Sequence, residues 1–298
     1  MKTSRRKLCL DARGRAAAAA QLACLLEVGV HKPGNVSPRL GFRDTVYTDF
    51  VLSALLVGPA FREAPEIGVG PAIFRAVQDT RRVVSSNTNL GLILLLTPLV
   101  VAATEGRSLR ESLERVLADL SVEDTRWTYR AIRQAQPGGL GSVSRYDAFR
   151  ETPCVSLREV MKEARDRDTI AAEYAEGYPI TFEIGYPAMR EAWHEGTALE
   201  DVVLLGFLAL LAQVPDTLIA RKKDGAAAIE VSRRAAEVLR RGGPLAPRGR
   251  AELERLDRDL RDPANSLNPG TTADLLGASL FVLLTEGGLL EEFEQAAL

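Results

Sequence analysis

Nearly every long segment of this chain repeats its apolar residues at helical spacing, and none alternates them in the two-residue rhythm of a strand. Without a Val/Ile/Thr-rich alternating run to build a sheet, apolar surface can be buried only by packing helix against helix, so the fold class is all-α. Helices are expected near Asp11–Gly29, Tyr47–Arg62, Pro71–Val84, Thr88–Thr104, Ser108–Leu120, Val122–Gln134, Ser156–Arg165 and Asp168–Ala175. Further ones fall near Pro179–Glu195, Leu199–Gln213, Pro215–Arg240, Arg250–Arg261, Thr271–Leu284 and Leu289–Ala297. Gly, Pro, Asn and Asp punctuate the boundaries as caps and stops. The most apolar stretch, Leu90 to Ala103, contains Gly91, Thr97 and Pro98 and is too short to span a bilayer, so it is read as a buried helix. No repeat of 20 to 50 residues is visible.

One long irregular stretch, Gln136 to Thr152, carries Pro137, Gly138, Gly139, Gly141 and Ser142, and a loop of that length is usually functional or mobile. Apolar helices on both sides favour one continuous bundle over two domains, so residues 1–298 are expected to form one all-helical domain. The helices around Leu204–Leu211 and Leu275–Leu284 suit either the core or the seam of a homodimer.

Composition narrows the partners. Lys plus Arg number 38 against 40 Asp plus Glu, a net charge of −2, so no global positive field exists to hold nucleic acid or an anionic membrane. Basic runs occur at Arg5-Arg6-Lys7, Arg221-Lys222-Lys223 and Arg240-Arg241, and most such runs are the ordinary decoration of a solvated surface. Cys9, Cys24 and Cys154 lack metal-ligand spacing and cannot all pair, and with only His31 and His194 a zinc site is not expected. Asp11, Arg13 and Arg15 interrupt the amino terminus before an apolar run could act as a signal peptide, so the expected location is cytoplasmic.

Five clusters place polar residues at the ends of apolar helices. The first is Lys32-Pro33-Gly34-Asn35, directly after a helix carrying Glu27; Pro33 and Gly34 force the backbone out of the helix, leaving Lys32, Asn35 and free amides where an anion could bind. A plain interhelical turn has the same sequence. The second is Asp44 to Asp49, and the third Ser85-Ser86-Asn87-Thr88-Asn89-Leu90-Gly91, at the entrance to the buried helix. Fourth comes Glu173 to Pro179. Fifth is Pro215-Asp216-Thr217, with Arg221, Lys222 and Lys223 one turn onward. Asp216 and Asn87 could simply be caps, and Glu173 with Glu176 could decorate a solvated face. The third cluster leads straight into Leu92 to Leu96, so its polar groups border the core and need partners, and the helix start would present N–H groups to a phosphate. Asp49, Glu173 and Asp216 are carboxylates suited to Mg²⁺, which takes few protein oxygens alongside substrate phosphates. No P-loop, G-x-G-x-x-G, HExxH or G-x-S-x-G occurs.

Taken in order, the clusters resemble the triphosphoribosyl-dephospho-CoA synthase family. Val30 to Ser37 is similar to T-P-K-P-G-L-V-D; Gly41 to Asp44 with Asp49 to Ala54, to G-A-H-x-D-M…D-F-x-x-S-A; and Ser85 to Gly91, to G-V-N-T-H-K-G. Ala171 to Pro179 resembles R-G-E-A-E-x-G-Y-P, Asp216-Thr217-Leu218 resembles D-T-N, and Ser266 to Leu276 resembles N-x-S-P-G-G-S-A-D-L-L. The chain departs from these patterns at Asn89-Leu90 (His-Lys in the family), Ser37 (Asp), Ala171 (Arg) and Leu218 (Asn), and the G-A-H histidine has no counterpart. The resemblance implies a transferase for small-molecule nucleotide and CoA-type substrates. The 2′-hydroxyl of 3′-dephospho-CoA would attack C1′ of the ATP ribose, adenine would leave, and Mg²⁺ would screen the triphosphate. It implies Glu173 or Asp49 as base and Asp44 with Asp216 around the metal. Glu27, Lys32, Gly34, Asn35, Asn87, Thr88, Asn89, Thr217 and Asn268 would hold phosphates or ribose. The lost His-Lys favours another phosphorylated acceptor as the alternative, and a non-catalytic helical binding protein is the second alternative.

Overall fold

A computed structural model describes residues 10–138, 143 and 145–296. Arg5-Arg6-Lys7, Cys9, and Gly139, Gly141 and Ser142 of the long loop lie outside the described residues. Among those described there are α-helices, one short π turn and one short 3-10 turn, and no strand. No helix among them is long and apolar enough to cross a membrane.

The chain begins with α1 (Ala12–Gly29), capped by the Asp11 carboxylate, which accepts the Gly14 N–H at 2.7 Å. Five of its nine buried residues are alanine, and the helix packs against α2 (Tyr47–Leu56), α3 (Gly58–Ile67), α5 (Leu90–Ala102) and α15 (Gly270–Thr285). The expected single helix over 47–62 is two, because Gly58-Pro59 restarts the backbone at Val57. The expected helix over 215–240 is likewise divided into α12 (Thr217–Lys222) and α13 (Gly225–Arg240), with Asp224 capping the second.

Helices α5 and α15 are buried on all sides, as is most of α11 (Leu199–Gln213). Leu204, Phe207, Leu208 and Leu275 to Leu284 therefore belong to the core and not to an exposed seam. Close approach of α5 and α15 needs small residues: a methyl group on Gly277 would stand 2.2 Å from Leu92 Cδ2. One continuous cluster of buried side chains runs from Ala16 to Leu289, and each fully buried Leu or Phe in it contributes about 1.5–3 kcal/mol.

Pro98 interrupts α5 because it has no N–H to offer the Leu94 carbonyl one turn back. The freed carbonyl accepts the Tyr174 hydroxyl at 2.6 Å, and the neighbouring Leu95 carbonyl accepts the Tyr178 hydroxyl at 3.1 Å. Tyr174 lies on α9 (Thr169–Glu176), and Tyr178 follows directly after its end. Half of the fourth polar cluster thus repairs a break in the central helix.

Candidate active site

The amino-terminal ends of α5, α9, α12 and α15 converge beside the carboxyl-terminal end of α1. Aspartates knit three of these starts together. Asp168 caps α9 by accepting the Ile170 and Ala171 N–H groups, and its other oxygen pairs with Arg221 of α12 at 2.6 Å. Asp216 caps α12 through the Leu218 and Ile219 N–H groups and, with its second oxygen, accepts the Thr272 N–H at 2.7 Å and the Thr272 hydroxyl at 2.8 Å. The Thr217 hydroxyl lies 3.2 Å from that of Thr169 and 3.3 Å from that of Thr271.

The helix ends open onto a cavity of about 620 Å³, within the range of small-molecule sites. Glu27, Asn35, Asp44, Asn87, Thr88, Asn89 and Asn268 line it, so members of the first, second, third and last motifs meet there as the sequence leads one to expect. Asn87 accepts the Leu90 N–H at 3.3 Å and so does act as a helix-start acceptor. The Thr88 hydroxyl is 2.6 Å from that of Ser53, tying the loop before α5 to α2. Within the lining, Asn89 Nδ2, Asn268 Oδ1, Ser86 Oγ and Arg221 Nε are buried and lack a hydrogen-bond partner. Buried polar atoms without a protein partner at the wall of a cavity are open to a ligand or to water.

The other expected site residues are placed elsewhere. Lys32 is fully buried: it pairs with Glu27 Oε1 at 3.1 Å and donates to the Glu27 and Val30 carbonyls, so it anchors the carboxylate and has no donor left for a phosphate. Gly34, at φ 72°, turns the loop, and its N–H is held by Asp257 at 2.8 Å. Asp49 accepts the Val46 N–H at 2.9 Å at the start of α2. Glu173, expected either as a base or on a solvated face, is fully buried and outside the lining; its Oε1 accepts the Thr181 N–H and hydroxyl at 2.7 and 3.0 Å, while Oε2 has no partner. Burial raises its pKa to about 8 against the pull of those Thr181 bonds. Thr217 and Asp216 sit in the knot behind the wall, and burial raises the Asp216 pKa against the pull of four donors.

Several lining residues were not among the expected ligand or catalytic residues. Asp274, which the last motif carries, is the one charged residue of α15, with its carboxylate against Gly91 at the first turn of α5. Burial is the largest influence raising its pKa well above the usual carboxylate range, followed by the charge of Glu27 and then of Asp216 and Asp168. Glu27 is also raised by burial, with Lys32 pulling it down. Cations come from Arg81, Arg167, Arg221 and Lys222. Tyr129, Ile132, Met161 and Ile170 make an apolar wall, completed by Tyr146 and Phe149 of the long loop.

A second polar arrangement fastens the loop that carries Asn35. His31 bridges Ser37 Oγ and Asp257 Oδ2, each at 3.0 Å, and Arg261 donates to both Asp257 and the Asn35 carbonyl, each at 2.9 Å. Against the upward push of burial, the bonds from His31, Arg261 and Gly34 hold Asp257 down at about 2.

The sequence pattern of the ATP:dephospho-CoA triphosphoribosyl transferase family matches residues 13–293. Over 106 residues the chain is 30% identical to 2-(5″-triphosphoribosyl)-3′-dephosphocoenzyme-A synthase of Klebsiella pneumoniae, a stretch covering 36% of this chain and 37% of that one. A Pseudomonas putida protein provisionally assigned the same name is 30% identical over 107 residues, 36% of this chain and 38% of the other. The matched stretch thus spans little more than a third of either relative. A crystal structure from Archaeoglobus fulgidus, provisionally described as a triphosphoribosyl-dephospho-CoA synthase, superposes with a TM-score of 0.62 at 26% identity, covering 79% of this chain and 98% of that one. The chain belongs to the ATP:dephospho-CoA triphosphoribosyl transferase family.

Proposed function

We propose that this family member transfers the triphosphoribosyl group of ATP to the 2′-hydroxyl of 3′-dephospho-CoA and releases adenine. The observation that carries this reading is the cavity itself, whose lining brings unsatisfied Asn89, Asn268 and Arg221 atoms together with the Glu27 and Asp274 carboxylates. In the reaction, the acceptor oxygen bonds to C1′ while the C1′–N9 bond breaks with its electron pair on adenine. The hydroxyl proton must pass to a base, and adenine must gain one. Positive charge develops on the ribose ring as in glycosidic cleavage generally, so nearby carboxylates stabilise the transition state.

The first-turn N–H groups of α5, with Asn87, Thr88 and Asn89, suit the phosphates, and Arg81, Arg221 and Lys222 supply countercharge. The carboxylate work belongs to Glu27 and Asp274, which border the cavity. In this reading Glu173 and Asp49 hold backbone and position the site.

Of the expected Mg²⁺ pair, Asp44 fits: it is exposed in the cavity lining and, among the described residues, accepts only a long 3.4 Å bond from the Thr45 hydroxyl. Asp216 does not fit, because both its oxygens are engaged by N–H and O–H donors. A single carboxylate suits an ion held mainly by substrate phosphates and water. Bound there, Mg²⁺ would screen the triphosphate.

The second reading, a different phosphorylated acceptor, is favoured by Asn89-Leu90, which removes a cation from the start of α5. Both readings are separated by incubating the protein with ATP, Mg²⁺ and 3′-dephospho-CoA and following adenine and coenzyme by chromatography and mass spectrometry. Adenine and a triphosphoribosyl adduct in equal amounts are the expected result. ATP binding without adenine release points to another acceptor, and no ATP binding overturns both.

A further inference from the structure

Glu27 of α1 and Asp274 of α15 line the same cavity, and the fold treats them differently. Glu27 is paired with a fully buried lysine at 3.1 Å, whose charge favours the ionised form against the upward push of burial. Asp274 has no cation bonded to it and accepts no hydrogen bond among the described residues; burial and the Glu27 charge favour its protonated form. Two carboxyls whose surroundings push their protonation apart are the usual basis for dividing acid from base. The amides at the start of α5 pull the other way and are directed to stabilise its anion once the proton has gone.

The position of Asp274 depends on a residue with no side chain. A β-carbon on Gly91 would stand 2.0 Å from Asp274 Oδ2 and 2.4 Å from its Cγ, so any other residue would expel the carboxyl from its seat. A neutral carboxyl also lets a phosphorylated substrate share this end of the cavity without repulsion.

Resting on the transferase reading, we propose that Asp274 is the general acid of the reaction, seated on Gly91 and opposed by the ionised Glu27. Asp274 gives its proton to the departing adenine as the C1′–N9 electron pair moves onto the base. The acceptor oxygen bonds to C1′, and its proton passes to Glu27. The pair as a whole neither gains nor loses a proton, and transfer from Glu27 to Asp274 restores the starting state.

The test compares two substrates in the full-length protein: ATP, whose base leaves poorly without a proton, and p-nitrophenyl riboside 5′-triphosphate, whose phenolate leaves without one. Asp274→Asn is expected to lower kcat on ATP at least about 100-fold, within the usual range for a general acid, yet to lower turnover of the nitrophenyl substrate less than about fivefold. Gly91→Ala, which moves the carboxyl without altering it, is expected to show the same selectivity at a smaller scale. Unchanged ATP turnover in Asp274→Asn, or equal losses on both substrates in a variant that retains the native circular dichroism, overturns the assignment. If the unaltered protein releases base from neither substrate, the transferase reading fails and this inference with it.

Discussion

Replacing Tyr174 by Phe removes one oxygen, and the structure fixes what that oxygen does. It donates at 2.6 Å to the Leu94 carbonyl, which has no backbone donor because the residue one turn on is Pro98. Both groups lie in the core and Tyr174 is fully buried, so water cannot replace the hydroxyl. Leaving a buried acceptor unsatisfied costs about 1–3 kcal/mol, and the tightly packed site gains nothing from the missing atom. Tyr174→Phe should therefore lower unfolding free energy by about 2 kcal/mol, read as a shift of the urea midpoint followed by circular dichroism. The causal claim concerns Pro98, so the decisive comparison is made in a Pro98→Ala background. There the alanine N–H can take the Leu94 carbonyl, and Tyr174→Phe should cost at least about 1 kcal/mol less, the coupling expected of groups that share a partner. Equal costs in both backgrounds would show that the hydroxyl is not compensating for the proline.

Further predictions follow from the other buried carboxylates. Glu173 has a folded pKa raised to about 8, so the fold favours its protonated form; its contribution is largest below about pH 4.5 and is lost as pH rises towards 8, by at most about 5 kcal/mol. Glu173→Gln should flatten that decline in a pH series of urea midpoints, and an unchanged slope would contradict the assignment. Asp257 behaves oppositely: held at about 2, it stabilises the fold above pH 4 and loses that contribution as pH falls towards 2. Asp257→Asn should cost about 2 kcal/mol at pH 7 and almost nothing at pH 2, measured by the same titration. Asp216→Ala removes the caps of α12 and α15 together and should cost about 2–4 kcal/mol at pH 7, with hydrogen exchange accelerated at Leu218, Ile219 and Thr272; protection unchanged at Thr272 would refute the shared cap.

The fold class and most helix positions were legible because helical periodicity and capping residues are local properties of the chain. Gly58-Pro59 and Asp224-Gly225 were equally legible breaks, yet the flanking propensity of alanine and leucine masked them. The convergence of Glu27, Asn35, Asn87 to Asn89 and Asn268 followed from ordered motifs that each sit at a helix end. Which carboxylate faces the cavity was not legible, since Asp216, Glu173 and Asp274 are all acidic residues bordering apolar helices. Sequence alone decided that this chain must bury its surface helix on helix, because periodicity is written into neighbouring residues. Tertiary structure decided which acid is cap, anchor or free carboxyl, because those roles depend on distant donors: Thr272 for Asp216, Thr181 for Glu173, and the bare Gly91 that leaves Asp274 with nothing but the cavity to face.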